Sequence, residues 1–238
     1  SNSTIGTKVT AVRLVLSWAE NQAWDYTNTW TGISLAKRGV KKRNRDRFRH
    51  EQLVKLFRME MPEHIKLIFR ILACTGFRLE ECIALEKSDI YYYENVYIFD
   101  LTSPNKILKA EQSARRVPIH PTLEQYLKTY IDTLNTEKLF PHFTLDKDGK
   151  GATAASKVLM KYIKQVRTHE DQLLDNHSFR QTFRQKLNNT SGFTDAMIDY
   201  IGGWEFKGMG KPYNADEPYQ MNTLKEHIDR IDVRYIHN

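Results

Sequence analysis

Long apolar runs are missing from this 238-residue chain. No stretch of eighteen residues is apolar enough to span a bilayer, and no amino-terminal apolar segment ends in a small-residue cleavage site. The sequence therefore predicts a soluble protein with neither a membrane span nor a secretory signal. Cysteine is scarce as well: only Cys74 and Cys82 occur, each inside an apolar stretch. Two such residues suit buried thiols in a reducing, cytoplasmic compartment better than a disulfide framework or a zinc site. Metal-ligand spacings, a glycine-rich phosphate cradle and internal repeats are all lacking, so no cofactor and no metal are expected. Ser1-Asn2-Ser3 is compatible with an expression scar, and the opening pattern with a piece of a longer chain.

What is present is positive charge. The net charge is +7, and the excess is concentrated. Lys37, Arg38, Lys41, Lys42, Arg43, Arg45, Arg47 and Arg49 face the single acid Asp46. Such a run fits a polyanion, because neutralising phosphates releases condensed counterions. A nucleic acid is the expected partner.

The periodicities predict a mainly α fold with a small antiparallel sheet, an α+β arrangement. Val9, Val12, Leu16, Ala19 and Ala23 recur at helical spacing over about 7–24. Residues 25–39 and the basic run then read as a connection, placing a domain boundary at 45/46. Helices are expected at 50–59, from Pro62 to Cys74 with Gly76 as its stop, and from Arg78 to Leu85. Aromatic and β-branched residues from Ile90 to Leu101 predict a hairpin turning at Glu94-Asn95, and Arg115 to Ile119 a third strand. Further helices are expected from Pro121 to Leu134, from a Thr153 cap to about Arg167, from a Thr194 cap to Ile201, and over 222–235.

Between these elements lie side chains suited to phosphate chemistry. Asn176-His177-Ser178-Phe179-Arg180 opens a helix, and its three-residue spacing puts His177 and Arg180 on one face. Arg78 stands at the first turn of a helix after Thr75-Gly76, with Glu81 placed to hold its guanidinium. Lys106 and Lys109 lie in the connection before the third strand. Trp204 comes directly after Gly202-Gly203, and Tyr213 nine residues later, after a glycine-rich segment.

This order and spacing resemble the catalytic domain of the tyrosine recombinases, the phage integrase family. Thr75-Gly76-Phe77-Arg78 with Glu81 resembles the family's first arginine box, and His177-Ser178-Phe179-Arg180 its second. Trp204 stands where most members have His and some have Trp. The resemblance implies that residues 46–238 form the catalytic domain. Residues 1–45 would then be the end of an amino-terminal core-binding element plus a basic linker.

It further implies catalysis by Arg78, Lys109, His177, Arg180, Trp204 and Tyr213, with Glu81 in support. Lys106 is the alternative to Lys109. DNA contacts are assigned to Lys37, Arg38, Lys41, Lys42, Arg43, Arg45, Arg47 and Arg115. The implied activity is site-specific DNA recombination through a 3′-phosphotyrosyl link, by a nucleoid-associated enzyme that forms a synaptic tetramer on DNA and works with accessory recombination factors. A DNA-binding relative without chemistry, and an enzyme that relaxes or resolves DNA by the same chemistry, are the alternatives.

Overall fold

A computed structural model describes residues 2–22, 27–32, 45–103, 113–147, 149–170, 172–205 and 218–237. The chain divides into two compact units, Ser1–Asn44 and Arg45–Asn238.

The first unit is built on α1 (Asn2–Asn21). Asn28, which is buried, fastens the turn at 27–32 to this helix. Its side-chain amide donates to Ser17 Oγ at 2.9 Å, and its Oδ1 accepts the Trp30 N–H at 3.0 Å. Arg13 Nε donates to the Trp30 carbonyl at 2.7 Å. Leu14, Val15 and Trp18 are exposed on α1 within this unit.

In the second unit, α2 (His50–Phe57) precedes α3 (Glu63–Thr75), whose residues from Leu67 to Thr75 are all buried. A helix apolar on nearly every side has to be central, and α3 is packed by other elements all round. Its one buried cation, Arg70, is neutralised by Glu63 at 2.6 Å and lies 3.6 Å from the Tyr126 ring centroid. Both cysteines are buried free thiols. Burial pushes the Cys74 thiol up to about 12, which keeps it protonated.

The short α4 (Leu79–Ile83) leads through a 3₁₀ turn at Lys87–Asp89 into β1 (Ile90–Tyr93) and β2 (Val96–Asp100). Glu94 and Asn95 have φ of 49° and 64°, the backbone that a two-residue type I′ hairpin turn requires. The third strand, β3 (Arg116–Pro118), pairs antiparallel with β2, with Ile98 opposite Pro118 and Asp100 opposite Arg116. In the strand order β1-β2-β3, Pro118 lies on an edge, where its missing N–H costs no ladder bond.

The rest is helical: α5 (Pro121–Asp132), α6 (Ala152–Gln165), α7 (Asn176–Asn189), α8 (Asp195–Gly202) and α9 (Met221–Ile228). Two sequence expectations are corrected. Gly151 precedes α6, so Thr153 lies inside the first turn and caps nothing. The last helix also ends early. It stops at Ile228, and Asp232 accepts the Arg234 N–H and both ends of its guanidinium fork, a local bonding pattern that competes with helix. Met221, Leu224 and Ile228 of α9 are buried against β3 of the same unit, and a final 3₁₀ turn at Arg234–His237 packs Tyr235 against Phe57.

Candidate active site

The site begins where α3 stops. Gly76 takes the left-handed conformation (φ 62°) and its N–H donates to the Leu72 carbonyl at 3.0 Å. A Cβ there would sit 2.7 Å from the Phe183 ring, so the position needs glycine both for its backbone and for the close approach of α7. Thr75 secures the turn, donating to the Ile71 carbonyl at 2.7 Å and accepting the Phe77 N–H at 3.2 Å. The chain leaves this turn extended, which puts Arg78 at the N-cap of α4.

Arg78 is held chiefly by Glu81, one turn further into α4. Its backbone N–H donates to Glu81 Oε2 at 3.0 Å, and its Nη1 donates to Glu81 Oε1 at 2.7 Å and to Ser113 Oγ at 2.9 Å. Glu81 is buried, and it also accepts from Arg115 Nη2 at 3.1 Å. Burial opposes its ionisation, but the charge and hydrogen bond of Arg115, together with the bonds from Arg78, hold its carboxyl below the usual range.

Arg180 comes from the second turn of α7. That helix starts on Asp175, which accepts the His177 N–H at 2.9 Å while its own N–H donates to Ser178 Oγ at 3.1 Å, the reciprocal bonding of a capping box. Phe179 and Phe183 go into the core, and Phe179 meets Phe48 at 4.4 Å. The guanidinium of Arg180 is buried between two glycine carbonyls: Nη1 donates to Gly76 at 2.9 Å and Nη2 to Gly203 at 3.1 Å.

Both glycines are left-handed residues that close helices, Gly76 for α3 and Gly203 for α8 (φ 59°). Helix carboxyl ends carry partial negative charge, so two of them around one cation offset part of its desolvation. Burial and then the nearby Arg78 still push Arg180 down to about 9, which leaves it charged at neutral pH.

Trp204 is placed by the same helix end. Its N–H donates to the Asp199 carbonyl at 2.8 Å and that of Gly203 to the Tyr200 carbonyl at 2.9 Å, a Schellman motif. The indole then lies under two cations, 4.4 Å from Arg180 and 4.7 Å from Arg184. Arg78 Nη2 also donates to the Gly203 carbonyl, at 3.3 Å.

His177 faces a 610 Å³ cleft lined also by Arg45, Arg78, Ser156, Lys157 and Asn176. Although its side chain reaches solvent, partial desolvation at the cleft wall, then the charges of Arg45 and Arg180, hold its imidazole below 6.5. It is therefore mostly neutral at pH 7 and able to accept a proton.

The fold thus brings Arg78, Glu81, His177, Arg180 and Trp204 to one place. Tyr213, Lys109 and its alternative Lys106 lie outside the described residues, as do Lys37, Arg38, Lys41, Lys42 and Arg43. Arg45 pairs with Asp175 at the cleft, and Arg47 is exposed.

The assignment of Arg115 to DNA is corrected. Its side chain is 0% exposed, and Nε, Nη1 and Nη2 are taken by Ile201 O, Ser113 O and Glu81. Ser113 and the Gly203 carbonyl were not identified from sequence, since neither a single serine nor a backbone oxygen carries a spacing signal. Arg184 did carry one: it is four residues from Arg180, on the same helix face.

Among the described residues, no group of three or more His, Cys, Asp and Glu side chains is placed to hold a metal ion, and no helix is long and apolar enough to cross a membrane. Arg78 and a neutral His177 on the cleft wall, with the buried Arg180 held between Gly76, Gly203 and the Trp204 indole, suit a phosphodiester whose non-bridging oxygens gain charge during reaction.

The family model described as "Phage integrase family" matches residues 46–219. No curated protein sequence matches the chain. Among solved structures, the integrase from mycobacterium phage Brujita is similar with a TM-score of 0.57 at 13% identity, over 100% of this chain and 77% of that one. The Tn1549 transposon integrase in complex with a circular intermediate DNA is similar with a TM-score of 0.62 at 16% identity, over 84% and 71%. A lambda integrase tetramer bound to a Holliday junction is similar with a TM-score of 0.59 at 13% identity, over 87% and 60%. With the family model covering most of its length, the chain belongs to the phage integrase family, the tyrosine recombinases of site-specific DNA recombination and integration.

Proposed function

We propose that this chain is itself a working site-specific recombinase or integrase, cleaving and rejoining double-stranded DNA through a covalent 3′-phosphotyrosyl intermediate with Tyr213 as nucleophile. The observation that carries the reading is the meeting of Arg78, Arg180 and Trp204 at Gly203, ten residues before Tyr213 in the sequence. Free tyrosine has a pKa near 10, so only about one side chain in a thousand is phenolate at neutral pH. Attack therefore needs help with the proton and with charge on the phosphate.

Arg78 and Arg180 neutralise the non-bridging oxygens in the transition state. His177 takes up the proton near the phenol, and Trp204 steadies Arg180 from below and offers its indole N–H. The phenolic oxygen of Tyr213 bonds to phosphorus, the bond to the 5′-oxygen breaks, and Lys109, or else Lys106, delivers a proton to that oxygen. A 5′-hydroxyl attacking the phosphotyrosine reverses the step and joins strands. One phosphoester replaces another at each step, so the scheme calls for neither metal nor ATP.

Lys37, Arg38, Lys41, Lys42, Arg43, Arg45 and Arg47 contact the DNA backbone in this reading. Assembly into a tetramer on DNA is proposed by analogy with the lambda integrase complex. Accessory factors and a nucleoid location belong to the same proposal.

The test is to incubate the chain with nicked DNA duplexes of randomised sequence, resolve protein–DNA adducts on a denaturing gel, and sequence the attached DNA. Adducts should form with the unaltered chain and be absent from Tyr213→Phe, which should still bind DNA. Adducts that survive Tyr213→Phe would sink the assignment of the nucleophile.

A further inference from the structure

Among the described residues, Arg115 is the most thoroughly buried cation of the second unit, and the proposed reaction gives it no task. It opens the segment Arg115-Arg116-Val117-Pro118, and all of its donor nitrogens are spent inside the protein, each on a different segment. Nη2 donates to Glu81 at 3.1 Å, and Glu81 holds Arg78 from both its backbone and its guanidinium. Nη1 donates at 2.7 Å to the carbonyl of Ser113, whose hydroxyl accepts from Arg78. Nε donates at 2.8 Å to the Ile201 carbonyl, two residues before Gly203, whose own carbonyl accepts from both Arg78 and Arg180. The Phe77 ring, 5.1 Å from the guanidinium, closes one side.

We infer that Arg115 is a positioning residue for the reaction: it locks the start of α4, the residues entering β3 and the end of α8 into one rigid block, and so sets where Arg78 and Arg180 aim their charge. The inference rests on the recombinase reading for its effect on rate, though not for its effect on Arg78. A planar fork with donors in three directions is what three separate acceptors require. A lysine in its place keeps the charge but cannot reach all three. The block also explains how two arginines close enough to repel can share one carbonyl: Glu81, itself kept ionised by Arg115, supplies the compensating charge beside Arg78.

The experiment compares Arg115→Lys with the unaltered chain in three measurements. DNA affinity should change little, whereas the rate of adduct formation at saturating DNA should fall by about 100-fold, the size of loss expected when reacting groups are misplaced by about 1 Å. In the Arg78→Ala background the same substitution should cost less than about threefold further, because two residues acting through one contact are not additive. In NMR spectra of the free protein, the guanidinium N–H signals of Arg78 should lose their protection from exchange while amides of α2, α3 and α9 keep theirs.

Wild-type rates with unaltered Arg78 signals, or losses that multiply with Arg78→Ala, would overturn the inference. A loss confined to DNA affinity would do so too, returning Arg115 to a binding role. Should Arg115→Lys fail to fold, Glu81→Gln cuts the same tie from its acceptor end and is expected to give the same pattern. If the unaltered chain forms no adduct on any duplex, the recombinase reading fails, and the Arg78 signals alone decide whether Arg115 positions it.

Discussion

Arg78 and Arg180, from helices far apart in sequence, donate to a single oxygen, the carbonyl of Gly203, at 3.3 and 3.1 Å. Two cations converging this way repel each other, and the effect is visible in the lowered pKa of Arg180, where Arg78 is the largest contribution after burial. The arrangement is held by Glu81, by the two helix-end carbonyls and by the indole of Trp204. In the recombinase reading, an anionic phosphate arriving beside the arginines would relieve the repulsion.

Removing either arginine should therefore cost rate more than binding. Arg78→Ala and Arg180→Ala are each expected to lower adduct formation by about 100- to 1,000-fold, as for loss of one oxyanion donor. Arg180→Lys should recover little, since a single ammonium cannot serve the Gly76 and Gly203 carbonyls in the directions that the fork reaches. Single-turnover cleavage on nicked DNA measures both.

His177 should titrate below 6.5 in the folded protein, and Arg45→Ala should raise its pKa. Arg45 is the largest charge contribution to the depression, and its removal also frees the Asp175 carboxylate to act on the imidazole. If neutral His177 takes the phenolic proton, cleavage should slow as pH falls through the depressed value. In Arg45→Ala the fall should begin at higher pH. NMR titration of the imidazole gives the first result and a pH–rate profile the second.

Acid should loosen the Arg78 anchor through Glu81. Its folded-state pKa lies below the free value of 4.5, so unfolding takes up a proton in the interval between them. Its contribution to stability is complete above that free value and is lost as pH falls through the depressed one. Glu81→Gln removes this dependence, so the difference in Tm between the two proteins should be largest at pH 6 to 7 and shrink in strong acid. A difference independent of pH would show that Glu81 acts without its charge.

Gly76→Ala should destabilise the second unit by about 1–3 kcal/mol, from left-handed backbone strain and overpacking against Phe183. Because the Gly76 carbonyl holds Arg180, cleavage should fall as well. Urea unfolding measures the first effect, and adduct formation under conditions where the variant is fully folded measures the second.

Local chemistry was legible in the residues. Gly76 ends a buried helix, Thr194 caps α8 by accepting the Met197 N–H, and Glu94-Asn95 turns the hairpin; each reflects a short-range preference of glycine, threonine or asparagine. The pairing of Arg78 with Glu81 was legible for the same reason, being an i,i+3 contact at a helix start. Thr153 misled because a capping residue type marks a helix start only to within a turn, and here Gly151 holds the cap position.

The order of the two arginine boxes, the lysine before the third strand, Trp204 and Tyr213 was determined by the sequence alone, and it is this order that resembles the family whose model matches residues 46–219. Only the tertiary structure decided which cation is enclosed and which reaches the cleft. The sequence assigned both Arg115 and Arg78 to contact with DNA or its phosphate, and neither segment by itself tells which guanidinium is enclosed. One is enclosed because Ser113, Ile201 and Glu81 converge on it from three parts of the chain, while the other keeps a face open to the cleft. Burial of a charge depends on partners distant in sequence, so it is settled by packing and not by the residue's own neighbourhood.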